Sequence, residues 1–155
     1  MQIQSQVFHR WHRPLEDHPD LASAIAPSNF RILIVNEDMR SADSLKRTLS
    51  DLGYFTTLTA YSARRALQAV EDFAPAVALL DLDLPDMTGY QLAHKLRTHL
   101  SGCVRQVPLL AVAELQHLST GERTLAAGFL GWLAKPVQPA ALNELLMKLQ
   151  AGPLS

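Results

Sequence analysis

Five short apolar runs, each followed by a stretch with helical spacing, constrain this chain more than any other feature. Arg31–Val35, Phe55–Thr59, Ala76–Leu80, Leu109–Ala113 and Trp132–Ala134 read as strands. Runs that are apolar at nearly every position are buried on both faces, which is the habit of parallel sheets covered by helices. Between them, Ala42, Leu45, Leu49 and Leu52 share one face of a predicted helix over 38–52, and Gly53 follows where a left-handed cap belongs. Ser62 is placed to cap a helix carrying Ala66, Leu67, Val70 and Phe73. A third helix is predicted over 89–99, its stripe Leu92, Leu96 and Leu100. Ser119 and Glu122 have the spacing of a capping box for a short helix ending near Ala127. Pro139 suits the first turn of a last helix through Leu142, Leu145, Leu146 and Leu149. Five strand–helix units in succession predict an α/β fold, a five-stranded parallel doubly wound sheet with five helices.

Ligands of such sheets bind beyond the carboxyl ends of the strands, where strand order reverses. The residues there are acidic. Asn36, Glu37 and Asp38 follow the first strand, and Asp81, Asp83 and Asp86 follow the third. From residue 30 to residue 152 there are 12 acids and 12 bases, yet five of the acids sit at these two strand ends. If the two strands are neighbours their carboxylates converge, and converging like charges call for a cation or shared protons. Hard oxygen donors suit Mg²⁺, which keeps waters and accepts a phosphoryl oxygen. Lys135, after the fifth strand, aims a single cation at the same edge. A carboxylate nucleophile, a divalent metal and a lysine together describe phosphoryl transfer to an aspartate.

The remaining composition narrows the function further. A net charge of −1 excludes a chain-wide electrostatic grip on nucleic acid or anionic membrane. No apolar run approaches the ~20 residues needed to span a bilayer. One cysteine, Cys103, excludes an internal disulfide and suits a reducing, cytoplasmic setting. Residues 1–29 show no sustained periodicity and read as a flexible N-terminal extension ahead of a body over 30–152. His9, His12 and His18 have neither a cysteine nor a second spaced pair beside them and are not read as a metal site. His94 and His99, at i, i+5 on one predicted helix, are expected to be solvated, as is His117.

The motifs Ile32-Leu-Ile-Val-Asn-Glu-Asp38, Leu79-Leu-Asp-Leu-Asp-Leu-Pro-Asp-Met-Thr-Gly89, Pro108-Leu-Leu-Ala-Val-Ala113 and Gly131-Trp-Leu-Ala-Lys-Pro136 resemble those of response-regulator receiver domains over about residues 30–150. The resemblance implies a flavodoxin-like sheet of order 2-1-3-4-5. It implies that Asp81 accepts a phosphoryl group from a sensor histidine kinase or a histidine phosphotransfer protein. Lys135 then pairs with the acceptor or its phosphate, and Pro136 follows a cis bond. Glu37 takes the place of the acid that binds Mg²⁺ directly, Asn36 that of its partner acid, acting weakly through water, and Asp83 lends a backbone carbonyl. Asp38 and Asp86 remain as helix-cap or solvated loop acids.

Two positions depart from the family pattern. Ala113 stands where the family has Thr or Ser, so the hydroxyl that donates to the phosphoryl group is missing, a loss on the order of 1.5–3 kcal/mol between the two states. Trp132 replaces a smaller aromatic. The resemblance implies a phosphoacceptor, not a turnover enzyme, and the little sequence outside the body is expected to leave it a stand-alone receiver signalling through an unknown downstream protein. A phosphorylation-independent pseudo-receiver is the alternative, favoured by Asn36 and Ala113. Asp81-Leu-Asp83 also has the form of a haloacid-dehalogenase phosphatase motif, but it lies on the third strand and Leu84-Pro85 follows it. A flavin-type phosphate cradle is excluded by the acidic first loop.

Overall fold

A computed structural model describes residues 30–114 and 121–151. Five parallel strands form the sheet: β1 (Ile32–Val35), β2 (Thr57–Ala60), β3 (Val77–Asp81), β4 (Leu109–Ala113) and β5 (Gly131–Ala134), in the order β2-β1-β3-β4-β5. Every residue of β1, β3 and β4 is buried, so helices cover both faces of the centre of the sheet. β2, at one edge, is buried only at Ala60. The order reverses between β1 and β3, which pair from Ile32–Val77 to Val35–Leu80. Asn36 and Asp81 therefore leave the sheet side by side, and the crevice of the fold opens at their level.

Among the described residues the helices are α1 (Met39–Asp51), α2 (Ala63–Phe73), α3 (Gly89–Arg97), α4 (Gly102–Arg105), α5 (Gly121–Ala126) and α6 (Pro139–Ala151), one more than the five expected. The unexpected one is α4, a single turn too short to show periodicity. Ser101 caps it through the Val104 N–H at 3.4 Å, and Val104 is its buried residue. Its presence shortens α3, which ends at Arg97 with the Thr98 hydroxyl turned back onto the His94 carbonyl at 2.9 Å. Leu100 consequently leaves the predicted stripe and is 97% exposed. His99 is not simply solvated either, because its Nδ1 accepts from the Ser101 N–H at 3.0 Å. His94 is exposed as expected.

Most other boundaries fall within two residues of expectation. Asp38 caps α1 and Gly53, at φ +99°, reverses the chain after it. Ser62 caps α2 through the Arg65 N–H at 3.1 Å. The proposed Ser119 cap, His117 and the extension over 1–29 lie outside the described residues. Arg97 is a tie that the sequence pattern did not suggest. Its guanidinium donates to the carbonyls of Arg105, Val107 and Gly128 at 2.8–3.0 Å, joining α3 to the segments before β4 and β5.

Candidate functional site

The site is built on the carboxyl ends of β1, β3, β4 and β5. Strand register sets its breadth: Asp81 lies opposite Val112, and Ala113 opposite Ala134, with the Lys135 N–H donating to the Ala113 carbonyl at 2.9 Å. Asp81 and Lys135, 54 residues apart, are thereby brought to one edge. Lys135 Nζ lies 3.1 Å from Asp81 Oδ2. The peptide bond from Lys135 to Pro136 is cis.

Asp81 is 3% exposed, and a carboxylate so buried is stable only when its lone pairs are engaged. Oδ2 takes the ammonium of Lys135, and Oδ1 accepts the Asp83 N–H at 3.1 Å. The carboxylate is therefore held at both oxygens. Asn36, also 3% exposed, turns its Oδ1 to the Asp38 N–H at 2.9 Å. That closes the β1–α1 turn and leaves Asn36 a neutral neighbour of Asp81. Glu37 and Asp83 are exposed at the rim.

The five acids do not all converge. Asp38 and Asp86 are drawn to helix N-termini, where unpaired backbone N–H groups compete for carboxylates. Asp38 accepts from the Ser41 hydroxyl at 3.0 Å and the Arg40 N–H at 3.1 Å, and both hold its carboxyl below the ordinary carboxylate range. Asp86 crosses from the β3–α3 loop to the start of α2, accepting from the N–H groups of Arg64 at 2.9 Å and Ala63 at 3.0 Å, which likewise lower it. Among the described residues no group of three or more His, Cys, Asp or Glu side chains is arranged to hold a metal ion. The side-chain oxygens of Asp81, Asn36 and Glu37, at the ends of β3 and β1, are nevertheless of the hard type that Mg²⁺ takes.

The loop after Asp81 is closed at its base. Gly89 N–H donates to the Leu82 carbonyl at 2.8 Å, and Asp83 and Thr88 form an antiparallel bridge. A Cβ on Gly89 would lie 2.7 Å from the Asp81 carbonyl oxygen and 2.8 Å from Leu82 Cα. The glycine eight residues after Asp81 is thus required by backbone approach. Beside Asp81, a cleft of about 420 Å³ runs along α1, lined by Asn36, Arg40, Ser41, Glu114, Lys135 and Pro136 among others. Ala113 is fully buried, and Trp132 is half-buried opposite Ala111, on the same face of the sheet as Ala113.

Over residues 32–147 the sequence matches the response regulator receiver domain. The chain belongs to that family. Response regulator MprA of Mycobacterium tuberculosis is 32% identical over 123 residues, which are 79% of this chain and 50% of that protein. The chain thus spans about half the length of that regulator. Among solved structures, a response regulator from Chloroflexus aurantiacus superposes with a TM-score of 0.72 at 29% identity, over 79% of this chain and 98% of the other. The receiver domain of sensor histidine kinase PA1611 from Pseudomonas aeruginosa superposes with a TM-score of 0.70 at 25% identity, over 79% and 98%. That neighbour has a magnesium ion coordinated in its active-site cleft. Receivers are signalling domains of two-component systems, and among the described residues of this one no helix is long and apolar enough to cross a membrane.

Proposed function

We propose that this receiver accepts a phosphoryl group on Asp81 from the phosphohistidine of a sensor histidine kinase or a histidine phosphotransfer protein. The body over 30–152 does this work in the cytoplasm, and the segment over 1–29 is an appendage to it. The observation that carries the reading is the buried Asp81 carboxylate 3.1 Å from Lys135 Nζ, at the reversal point of the sheet. A carboxylate oxygen of Asp81 attacks phosphorus in line, the phosphorus–nitrogen bond breaks, and the electron pair leaves with the histidine. The two contacts on Asp81 orient the nucleophile, and Lys135 passes from the carboxylate to the added phosphoryl charge.

Glu37, the Asp81 carboxylate and the Asp83 carbonyl are the residues that would hold Mg²⁺, with Asn36 acting through water. Bound there, Mg²⁺ supplies positive charge against the phosphoryl oxygens. Neutral Asn36 and exposed Glu37 make that binding weaker than a full set of acids would. Output passes to another protein; the near-neutral charge supports neither nucleic acid nor membrane as the target.

A second reading has its own observation. Ala113 offers no hydroxyl where the resemblance implies one, which favours a constitutive interaction module. Titrating Trp132 fluorescence with Mg²⁺ and then beryllofluoride, in a Trp11→Phe background, separates the two. A saturable response that Asp81→Asn abolishes, with labelling by acetyl phosphate, is the expected result. No response and no labelling refutes the phosphoacceptor reading in favour of the constitutive module.

A further inference from the structure

The β3–α3 loop is held at a place its own sequence does not suggest. Its base is closed by the Gly89–Leu82 hydrogen bond and the Asp83–Thr88 bridge, and at its tip, Leu84 to Met87, Pro85 and Asp86 are exposed. Leu84 and Met87 pack partly buried against the core, and Asp86 hydrogen-bonds the tip to a different element. One carboxylate oxygen takes the Ala63 N–H and the other the Arg64 N–H, while Ser62 takes the Arg65 N–H. The first three N–H groups of α2 are thus satisfied by two residues 24 positions apart, one local and one from the loop. At the other end of the same loop, Asp83 N–H is the group that fixes Asp81 Oδ1.

We infer that Asp86 is a positioning residue for Asp81, pinning the loop tip to α2 so that the Asp83 N–H and carbonyl stay in place around the carboxylate. The first half of this inference concerns loop geometry alone; its consequence for phosphorylation rests on the proposed function. Asp83 and Asp86 are three peptide bonds apart, and the fixed φ of Pro85 between them limits how much displacement of the tip the chain can absorb before it reaches Asp83. Asp86 also sits at the positive end of the α2 dipole, which strengthens the tie.

Ser62→Ala provides the control that separates positioning from capping. It removes a cap from the same helix and leaves the loop anchored. Asp86→Ala removes two acceptors and releases the loop. Amide exchange at Asp83, followed by NMR, is expected to quicken about 10-fold or more in Asp86→Ala and to stay near the parent rate in Ser62→Ala. The Mg²⁺ concentration for half-maximal labelling by acetyl phosphate is expected to rise several-fold in Asp86→Ala only. Equal Asp83 exchange in the two variants overturns the inference and leaves Asp86 a helix cap. If the parent itself takes no label, the phosphoacceptor reading fails, and the exchange comparison still decides whether Asp86 positions the loop.

Discussion

Replacing Gly89 with alanine tests whether the glycine of the Asp81 loop is demanded by close approach. The added Cβ would stand 2.7 Å from the Asp81 carbonyl oxygen, 2.8 Å from Leu82 Cα and 2.8 Å from Leu82 Cδ2. Two of these three atoms are backbone, and the carbonyl belongs to a strand buried at every position, so little can yield. Gly89 begins α3 and its φ is not in the left-handed region, so steric conflict is isolated from backbone strain. Overpacking of this kind costs about 1–3 kcal/mol. Alanine's helix preference, under about 1 kcal/mol at an interior position, offsets little of it at a first turn. Gly102 supplies the control: it also begins a helix, but a Cβ there meets only the flexible Arg105 Nη2 at 3.3 Å. Urea denaturation of both variants should show Gly89→Ala destabilised by about 1–3 kcal/mol and Gly102→Ala within about 0.5 kcal/mol of the parent. Equal effects, or a neutral Gly89→Ala, would refute the argument that the loop needs glycine for space.

Lys135→Met leaves the Asp81 carboxylate buried without its cation and should lower stability by about 1–3 kcal/mol, a loss that adding Asp81→Asn recovers in large part in a double-mutant cycle read by denaturation. Gly128→Ala places a side chain at φ +100° and 3.0 Å from Arg97 Nε, so it should cost about 1–3 kcal/mol by thermal denaturation, because the Arg97 tie to three carbonyls cannot shift freely. Asp38 and Asp86 both have carboxyl groups held below their ordinary values by hydrogen bonds from Ser41 and Arg64 first. Their stabilisation is therefore complete above about pH 4 and lost as pH falls through the lowered folded-state values; an Asp38→Asn, Asp86→Asn double variant should show a shallower acid limb in a stability–pH profile.

The strands were readable because three of them are buried on both faces, and a run such as Leu109–Ala113 has one structural use. Helix existence followed from the stripes of α1 and α6 in the same way. What escaped was local and competitive. Leu100 continues the Leu92–Leu96 spacing, yet the Thr98 hydroxyl and the Ser101 cap end α3 early and start α4, which no periodicity over one turn can announce. At the site, Asp81 and Lys135 were legible because Asp81 ends β3 and Lys135 directly follows β5, and strand order then fixes their meeting. The expected convergence of five acids was not, because a carboxylate near a helix start has a nearer partner than a shared cation. Asp86 illustrates this most clearly, since the N–H groups it finds lie 22 and 23 residues away in sequence.

That division of the acids bears on how the receiver can work. Phosphoryl acceptance needs an oriented carboxylate and a countercharge, and on the proposed function these are Asp81, held by the Asp83 N–H, and Lys135, within one hydrogen-bonded set. Relaying the event needs a group that is bonded in one state and not in the other. At the end of β4, Ala113 has only a methyl group, fully buried, and its carbonyl is already committed to the Lys135 N–H. A contact that never differs between two states cannot shift their balance. Lys135 is the exception: its backbone is tied to Ala113 and its ammonium to Asp81, so a phosphoryl group that redirects the ammonium acts directly on the β5–α6 connection. Any conformational output from Asp81 is therefore expected to run through Lys135 and β5, where Trp132 reports it, with the β4 hydroxyl route closed.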